Sequence, residues 1–194
     1  MKNFYISDFH FGHSNIIKFD NRPFSTVEEM DNTLINNWNS VVEKDDTVYI
    51  LGDFCWQSED RWIEILKQLK GNKILIRGNH DPWHLSQQLR NMFKDVKDYK
   101  EVKDSGRRVL LSHYPMPFYR GAYNPDIIHL FGHIHTTLEN DFLEHLREYI
   151  DKNDNRGNSK HKGKFYNVGC MMPYMSFYPR TLDEIIAANT PKEN

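Results

Sequence analysis

Cysteine is sparse in this chain: Cys55 and Cys170 are the only two in 194 residues, far apart and without a CxxC neighbour. A disulfide framework and a thiolate zinc site are therefore both unsupported, and the pair reads as partly buried thiols. No apolar run approaches the roughly 18 residues that would span a bilayer. The segment from Met1 to Asp8 enters a strand-like pattern at once, without the apolar core of a signal peptide. A cytoplasmic protein with no membrane partner is the expectation. Charge of one sign is also lacking, since 25 Lys and Arg stand against 27 Asp and Glu for a net charge of −2. That balance demands no polyanionic partner, so nucleic acid is not favoured as a ligand.

What the chain does hold is a hydrophobic fraction of 39% with twelve Phe and ten Tyr, the composition of a globular protein. Its length fits one domain, residues 1–194, with a sizeable core. Short apolar runs at 4–6, 47–51 and 74–76 read as strands. Between them lie helical patterns. One opens on the capping-box spacing from Ser25 to Glu28 and carries Leu34, Ile35 and Trp38 on one face. A second covers 59–70, with Trp62, Ile65, Leu66 and Leu69, and stops at Gly71-Asn72. A third covers 83–93. Later, 96–102 and 107–111 read as a hairpin about Asp104-Ser105-Gly106, and 126–131 as a strand. Residues 141–163 read as an insertion made of a helix and a mobile loop, made basic by Arg156, Lys160, Lys162 and the adjoining Lys164. A last core strand at 164–169 and a strand-to-helix element at 181–186 complete an α/β pattern.

The strands share one grammar, in which an apolar run ends in polar residues. Ser7-Asp8-Phe9-His10 follows the first, Gly52-Asp53 the second and Arg77-Gly78-Asn79-His80-Asp81 the third; His113 and then Gly132-His133-Ile134-His135 follow later ones. Alternation along an extended segment would turn Asp8 and His10 to one side, and likewise His133 and His135. His129 lies inside its strand and reads as a hydrogen-bonded structural residue. Any one tip could be a turn or a helix cap. Five tips of this kind suggest a common site, because ligands gather at the carboxyl ends of strands in open sheets.

Imidazoles, carboxylates and one amide oxygen, without sulfur, suit Mn²⁺, Fe or Zn²⁺, and include too many histidines for Ca²⁺ or Mg²⁺ alone. Seven candidates, Asp8, His10, Asp53, Asn79, His113, His133 and His135, exceed what one ion takes but divide between two if one carboxylate bridges. Two ions about 3.5–4 Å apart clamp phosphoryl oxygens and generate hydroxide near neutral pH. Hydrolysis of a phosphate ester follows from that count. A single structural zinc, with the remaining tips as caps, is the bland alternative.

The ordered set Asp8-x-His10, Gly52-Asp53, Gly78-Asn79-His80-Asp81, His113 and Gly132-His133-x-His135 resembles the motif set of the calcineurin-like metallophosphoesterase superfamily, and Asn167-Val168-Gly169 is similar to its last strand. The resemblance implies a four-layer β-sandwich of two mixed sheets flanked by helices. It implies that Asp8, His10 and His135 bind one metal, that Asn79, His113 and His133 bind the other, and that Asp53 bridges. It also implies that His80 is catalytic, stabilising the transition state or protonating the leaving oxygen, with Asp81 orienting it, and that a hydroxide activated by both metals attacks phosphorus. Two divalent ions are expected, Mn²⁺ first, with Fe, Zn²⁺ or Ni²⁺ as alternatives. The expected substrate is a small nucleotide-like phosphomonoester or phosphodiester. A nuclease, a phosphoprotein phosphatase and a non-catalytic scaffold are the competing readings. His13 and Arg22, near the first motif but outside it, are candidate substrate contacts.

Overall fold

The computed structural model describes residues 1–155 and 163–190. The chain forms two mixed sheets. The first contains β1 (Asn3–Ile6), β2 (Thr47–Ile50), β3 (Asn72–Ile76), β4 (Asp95–Lys97) and β9 (Arg180–Thr181) in the order β4-β3-β2-β1-β9. Its first four strands are parallel, and β9 runs antiparallel to β1. The second contains β5 (Tyr99–Asp104), β6 (Arg107–Ser112), β7 (Ile127–Phe131) and β8 (Phe165–Asn167) in sequence order. There β5 and β6 form the antiparallel pair, while β6, β7 and β8 are parallel.

Alternation along the strands decides what lies between the sheets. Val109 and Leu111 of β6 and Ile128 and Leu130 of β7 share one core with Tyr5 of β1, Tyr49 of β2, and Ile74 and Ile76 of β3, the face of the first sheet from which Tyr5 O–H donates to Asp104 of β5 at 2.8 Å. The opposite face of the second sheet presents Leu110, Ile127, Phe131 and Phe165. These pack with Leu143, Leu146 and Ile150 of α5 (Leu138–Asn153) in a separate cluster. On the far side of the first sheet lie α2 (Val27–Val41), which buries Met30, Leu34, Ile35 and Trp38, and α3 (Glu59–Gln68), which buries Trp62, Ile63, Ile65 and Leu66. Helices thus flank a two-sheet sandwich. Burying a Leu, Ile or Phe side chain contributes about 1.5–3 kcal/mol, so this shared core is what presses the two sets of strand tips together.

Several local expectations shift. The helix expected after Ser25 begins one residue later: Thr26 is its cap, accepting from Glu29 N–H at 3.1 Å, while the Glu29 carboxylate accepts from Ser25 N–H at 2.7 Å. The strand expected at 96–102 is broken in two. Val96 pairs with Leu75 in the first sheet, whereas Tyr99 to Asp104 pair with β6 in the second, so this segment crosses between sheets instead of forming one hairpin arm. Only α4 (Gln87–Arg90) is helical within 83–93, and α1 (Ser14–Phe19) was not anticipated. The helix expected from 141 begins at Leu138 and reaches Asn153. Arg156, Lys160 and Lys162 of the expected basic loop lie outside the described residues.

Candidate active site

The tips of β1, β2 and β3 from one sheet meet those of β6 and β7 from the other at one edge of the sandwich. A seam of backbone bonds holds them there: Ser7 N–H donates to Val168 O (2.9 Å), Asp8 N–H to Gly52 O (3.1 Å) and His10 N–H to Asp53 O (3.0 Å). Close approach is built into the sequence at Gly78, where a Cβ would lie 2.2 Å from Asp53 Oδ1 and 2.9 Å from His113 Cε1. The side chains do not converge by strand alternation. Asp8, His10, Asp53, His133 and His135 all take positive φ, between 47° and 73°. The left-handed region costs about 1–2 kcal/mol per non-glycine residue. Strain concentrated in this way marks a functional site.

Two groups of ligand-competent atoms result, Asp8, His10, Asp53 and His135 in one and Asp53, His113 and His133 in the other, with the atoms of each group within 4.8 Å of one another. Asp53 belongs to both. Its Oδ2 lies 3.6 Å from His10 Nε2 and 3.5 Å from His113 Nε2, while Oδ1 accepts the His80 N–H at 3.0 Å. A single oxygen therefore reaches both groups, not one oxygen for each. Asn79 Oδ1 sits 3.0 Å from His113 Nε2, beside the second group.

Outer partners aim the imidazoles. His113 Nδ1 donates to Leu51 O at 2.8 Å, and His135 Nδ1 donates to Asp20 Oδ1 at 2.7 Å, leaving both Nε2 lone pairs directed inward. Asp20 was not expected from the sequence; a carboxylate in the Phe19–Pro23 loop was its only signal. The Asn167 side chain donates to His135 O at 2.8 Å and to Asn140 Oδ1 at 2.9 Å. Burial pushes His10 down to about 2, with His135 and Arg22 adding to the effect. His133 is lowered mainly by burial, too. His135 is raised: burial opposes this, but the Asp20 bond and the nearby Asp8 outweigh it. Burial raises Asp53, and the Asp8 charge adds to that after the opposing influence of His113.

The donor set fits cations. Asp8 and Asp53 are 0% and 2% exposed, and among the described residues no Lys or Arg forms an ion pair with either carboxylate. Two buried carboxylates facing inward-directed imidazole lone pairs are costly without positive charge between them.

Arg22 does not serve as expected. Only 4% exposed, it donates from Nη2 to Asp8 O and from Nη1 to Phe9 O, both at 2.8 Å, and from Nε to Asp20 Oδ2 at 2.9 Å. Its guanidinium is spent on holding the strained Asp8–Phe9 backbone, so direct substrate contact is corrected to loop support. Asp81 is also engaged elsewhere. Its Oδ2 accepts from Asp53 N–H (3.0 Å) and Gly78 N–H (2.8 Å), and its Oδ1 from Phe54 N–H (2.9 Å). Among the described residues no hydrogen bond joins Asp81 to the His80 ring. That ring is instead 4.4 Å from the ring of Trp56, which stacks at 4.4 Å and 10° on His13. His80 is exposed at the rim, and Trp56, missed in the sequence, is its neighbour.

Residues 1–174 match the sequence model of the calcineurin-like phosphoesterase superfamily domain. An uncharacterized protein of Methanocaldococcus jannaschii, MJ1445, is 37% identical over 187 residues, covering 95% of this chain and 89% of its own length. The gene 66 protein of Mycobacterium phage L5 is 36% identical over 129 residues, covering 57% of this chain and 62% of its own. Among solved structures, that of AQ665 from Aquifex aeolicus, a protein of unknown function, superposes with a TM-score of 0.62 at 28% identity, covering 96% of this chain and 98% of that one. The chain belongs to the calcineurin-like phosphoesterase superfamily. The superfamily is one of metal-dependent phosphoesterases, and membership supports a hydrolase acting on phosphate esters. No helix among the described residues is long and apolar enough to cross a membrane.

Proposed function

We propose that this protein is a dinuclear metal-dependent phosphoesterase acting on a small nucleotide-like phosphomonoester or phosphodiester, in the cytoplasm and with Mn²⁺ as its first-choice ion. One observation carries the reading: Asp53 Oδ2 lies within 3.6 Å of an imidazole nitrogen from each of two ligand groups. Asp8, His10 and His135 would hold one ion and Asn79, His113 and His133 the other, with Asp53 common to both. When bound, two such ions supply Lewis acidity at the phosphoryl oxygens and lower the pKa of water.

The chain's own residues do the rest. Asp20 and Leu51 O keep the ring protons of His135 and His113 on Nδ1, so each Nε2 stays a ligand. Arg22 and the Asp81 carboxylate hold the loops that carry Asp8 and Asp53. In hydrolysis a water oxygen forms the new bond to phosphorus and the ester oxygen leaves, taking up a proton. His80, exposed at the rim with its backbone tied to Asp53 Oδ1, is the group assigned to deliver that proton.

The test is metal content and turnover together. With Mn²⁺, the protein should bind two equivalents and hydrolyse bis(p-nitrophenyl) phosphate or p-nitrophenyl phosphate. Asp53→Asn should lose metal from both groups and fall to background. Full metal content and activity in that variant would refute the shared-ligand assignment.

A further inference from the structure

Beside Asn79, on the rim, a cavity of about 370 Å³ opens between Trp83 and Tyr114, and neither aromatic was part of any motif. Both are exposed, Trp83 by 71% and Tyr114 by 49%, yet both are held in place. The Arg77 guanidinium lies 4.6 Å from the Trp83 ring centre and donates from Nη1 to Trp83 O at 2.9 Å. Arg77 is itself fixed by Asp98 through paired bonds, Nε to Oδ1 at 2.8 Å and Nη2 to Oδ2 at 3.0 Å. Tyr114 stands edge-on to His133 at 4.7 Å and to His113 at 5.2 Å, so its position is tied to the second ligand group. Trp56, across the site, differs: it is already packed against both His13 and His80.

Exposed aromatic rings with little freedom left are suited to stacking a flat ligand, because less entropy is lost on binding. The volume falls within the range of small-molecule pockets. Asp98 gives the rim polarity. Each of its oxygens spends one lone pair on Arg77, leaving others to accept from an exocyclic amino group.

We propose that this cavity is the subsite for the nucleobase of the ester, stacked at Trp83 and Tyr114 with an amino group at Asp98, while the phosphoryl group lies at Asp53. The proposal rests on the phosphoesterase reading and narrows its substrate to amino-bearing nucleotides. The subsite acts in recognition only; it contributes no step of bond breaking.

Three diesters with the same leaving group test it on the full-length, Mn²⁺-loaded protein: the p-nitrophenyl esters of adenosine 5′-monophosphate, of phenyl phosphate and of ethyl phosphate. Wild type should favour the adenosine ester over the ethyl ester in kcat/KM by about tenfold or more, the scale of one stacked base. Trp83→Ala should bring that ratio towards one, chiefly through KM, and Trp83→Phe should restore most of it. Equal rates for the three esters, or a ratio that Trp83→Ala leaves intact, would overturn the subsite while leaving phosphoesterase activity standing. A phenyl ester as good as the adenosine ester would overturn the nucleobase assignment. Calorimetric binding of adenosine monophosphate against ribose 5-phosphate separates the two readings. A Trp83-dependent preference for the nucleotide, in protein that hydrolyses none of the esters, would support the subsite and remove the phosphoesterase reading. No preference in binding and none in turnover would remove the subsite.

Discussion

Replacing Gly78 by alanine is the sharpest perturbation of the site that leaves every candidate ligand in place. Gly78 does not occupy the left-handed region, so alanine meets no backbone penalty there and would gain about 0.4–1 kcal/mol from a stiffer unfolded chain. The added methyl carbon, however, would lie 2.2 Å from Asp53 Oδ1 and 2.7 Å from Asp53 N. Ordinary contact requires one of them to retreat by about 1 Å, against a tolerance of about 0.2 Å for metal–ligand distances. Overpacking of this kind costs about 1–3 kcal/mol. The melting temperature of a domain this size should then fall by about 2–10 °C, and Mn²⁺ affinity at both sites by about tenfold or more. Gly106→Ala is the matched control. It sits at φ 79° with nothing within 4 Å of the new carbon, so it should lose about 1–2 kcal/mol to backbone strain and keep metal affinity. Calorimetric titration with Mn²⁺ alongside thermal melts decides between them. Wild-type affinity at both sites in Gly78→Ala would refute the claim that Asp53 is fixed by this approach and shared between the metals.

Asp20→Asn keeps an acceptor for His135 Nδ1 but removes the charge that aims the ring; Mn²⁺ affinity should drop about 10–100-fold at the Asp8, His10 and His135 group alone. Wild-type affinity in both groups would remove Asp20 from the site. His80→Gln should retain two metals and slow turnover most for poor leaving groups, as a slope in rate against leaving-group pKa would reveal; loss of both metals would make His80 a ligand. His129 gives a pH dependence. Burial is the main cause that pushes it down to about 4, and in its neutral form Nδ1 donates to Leu110 O while Nε2 accepts from Met116 N–H. The unfolded chain takes up this proton below about 6.5 and the folded chain only near 4, so its contribution is complete above 6.5 and lost as pH falls to about 4. That loss is about 3 kcal/mol. Urea unfolding at pH 7.5 and 4.5 should show His129→Gln losing less stability than wild type by about that amount, and equal losses would contradict the assignment.

The regular elements were legible where a local rule governs them. The Leu34 and Trp38 face of α2, the Trp62 and Leu66 face of α3 and the apolar runs of β1, β2 and β3 follow from periodicity alone. The segment at 96–102 was not legible, because nothing local distinguishes Val96, which pairs in one sheet, from Tyr99, which pairs in the other. The capping residue moved from Ser25 to Thr26 because the two spacings, Ser25 to Glu28 and Thr26 to Glu29, are equivalent on paper. Trp56, Trp83 and Asp20 were invisible as site residues, since an isolated aromatic or carboxylate in a loop carries no periodicity and no motif.

For the site, the sequence by itself determined the inventory: five apolar runs, each ending in imidazole, carboxylate or amide, in an order that identifies the superfamily. Chemistry of that kind is a property of residue type and local spacing. The tertiary structure decided where those groups point. Asp8 and His10 do fall in one ligand group, but through left-handed backbone at both and not by strand alternation, and His133 and His135, which alternation would have paired, turn to different groups. The structure also decided that one oxygen of Asp53 faces both ligand groups, that Arg22 supports a loop, and that Asp81 binds three backbone N–H groups. These arrangements depend on residues up to 60 positions apart meeting at one edge of two packed sheets, which no local rule encodes.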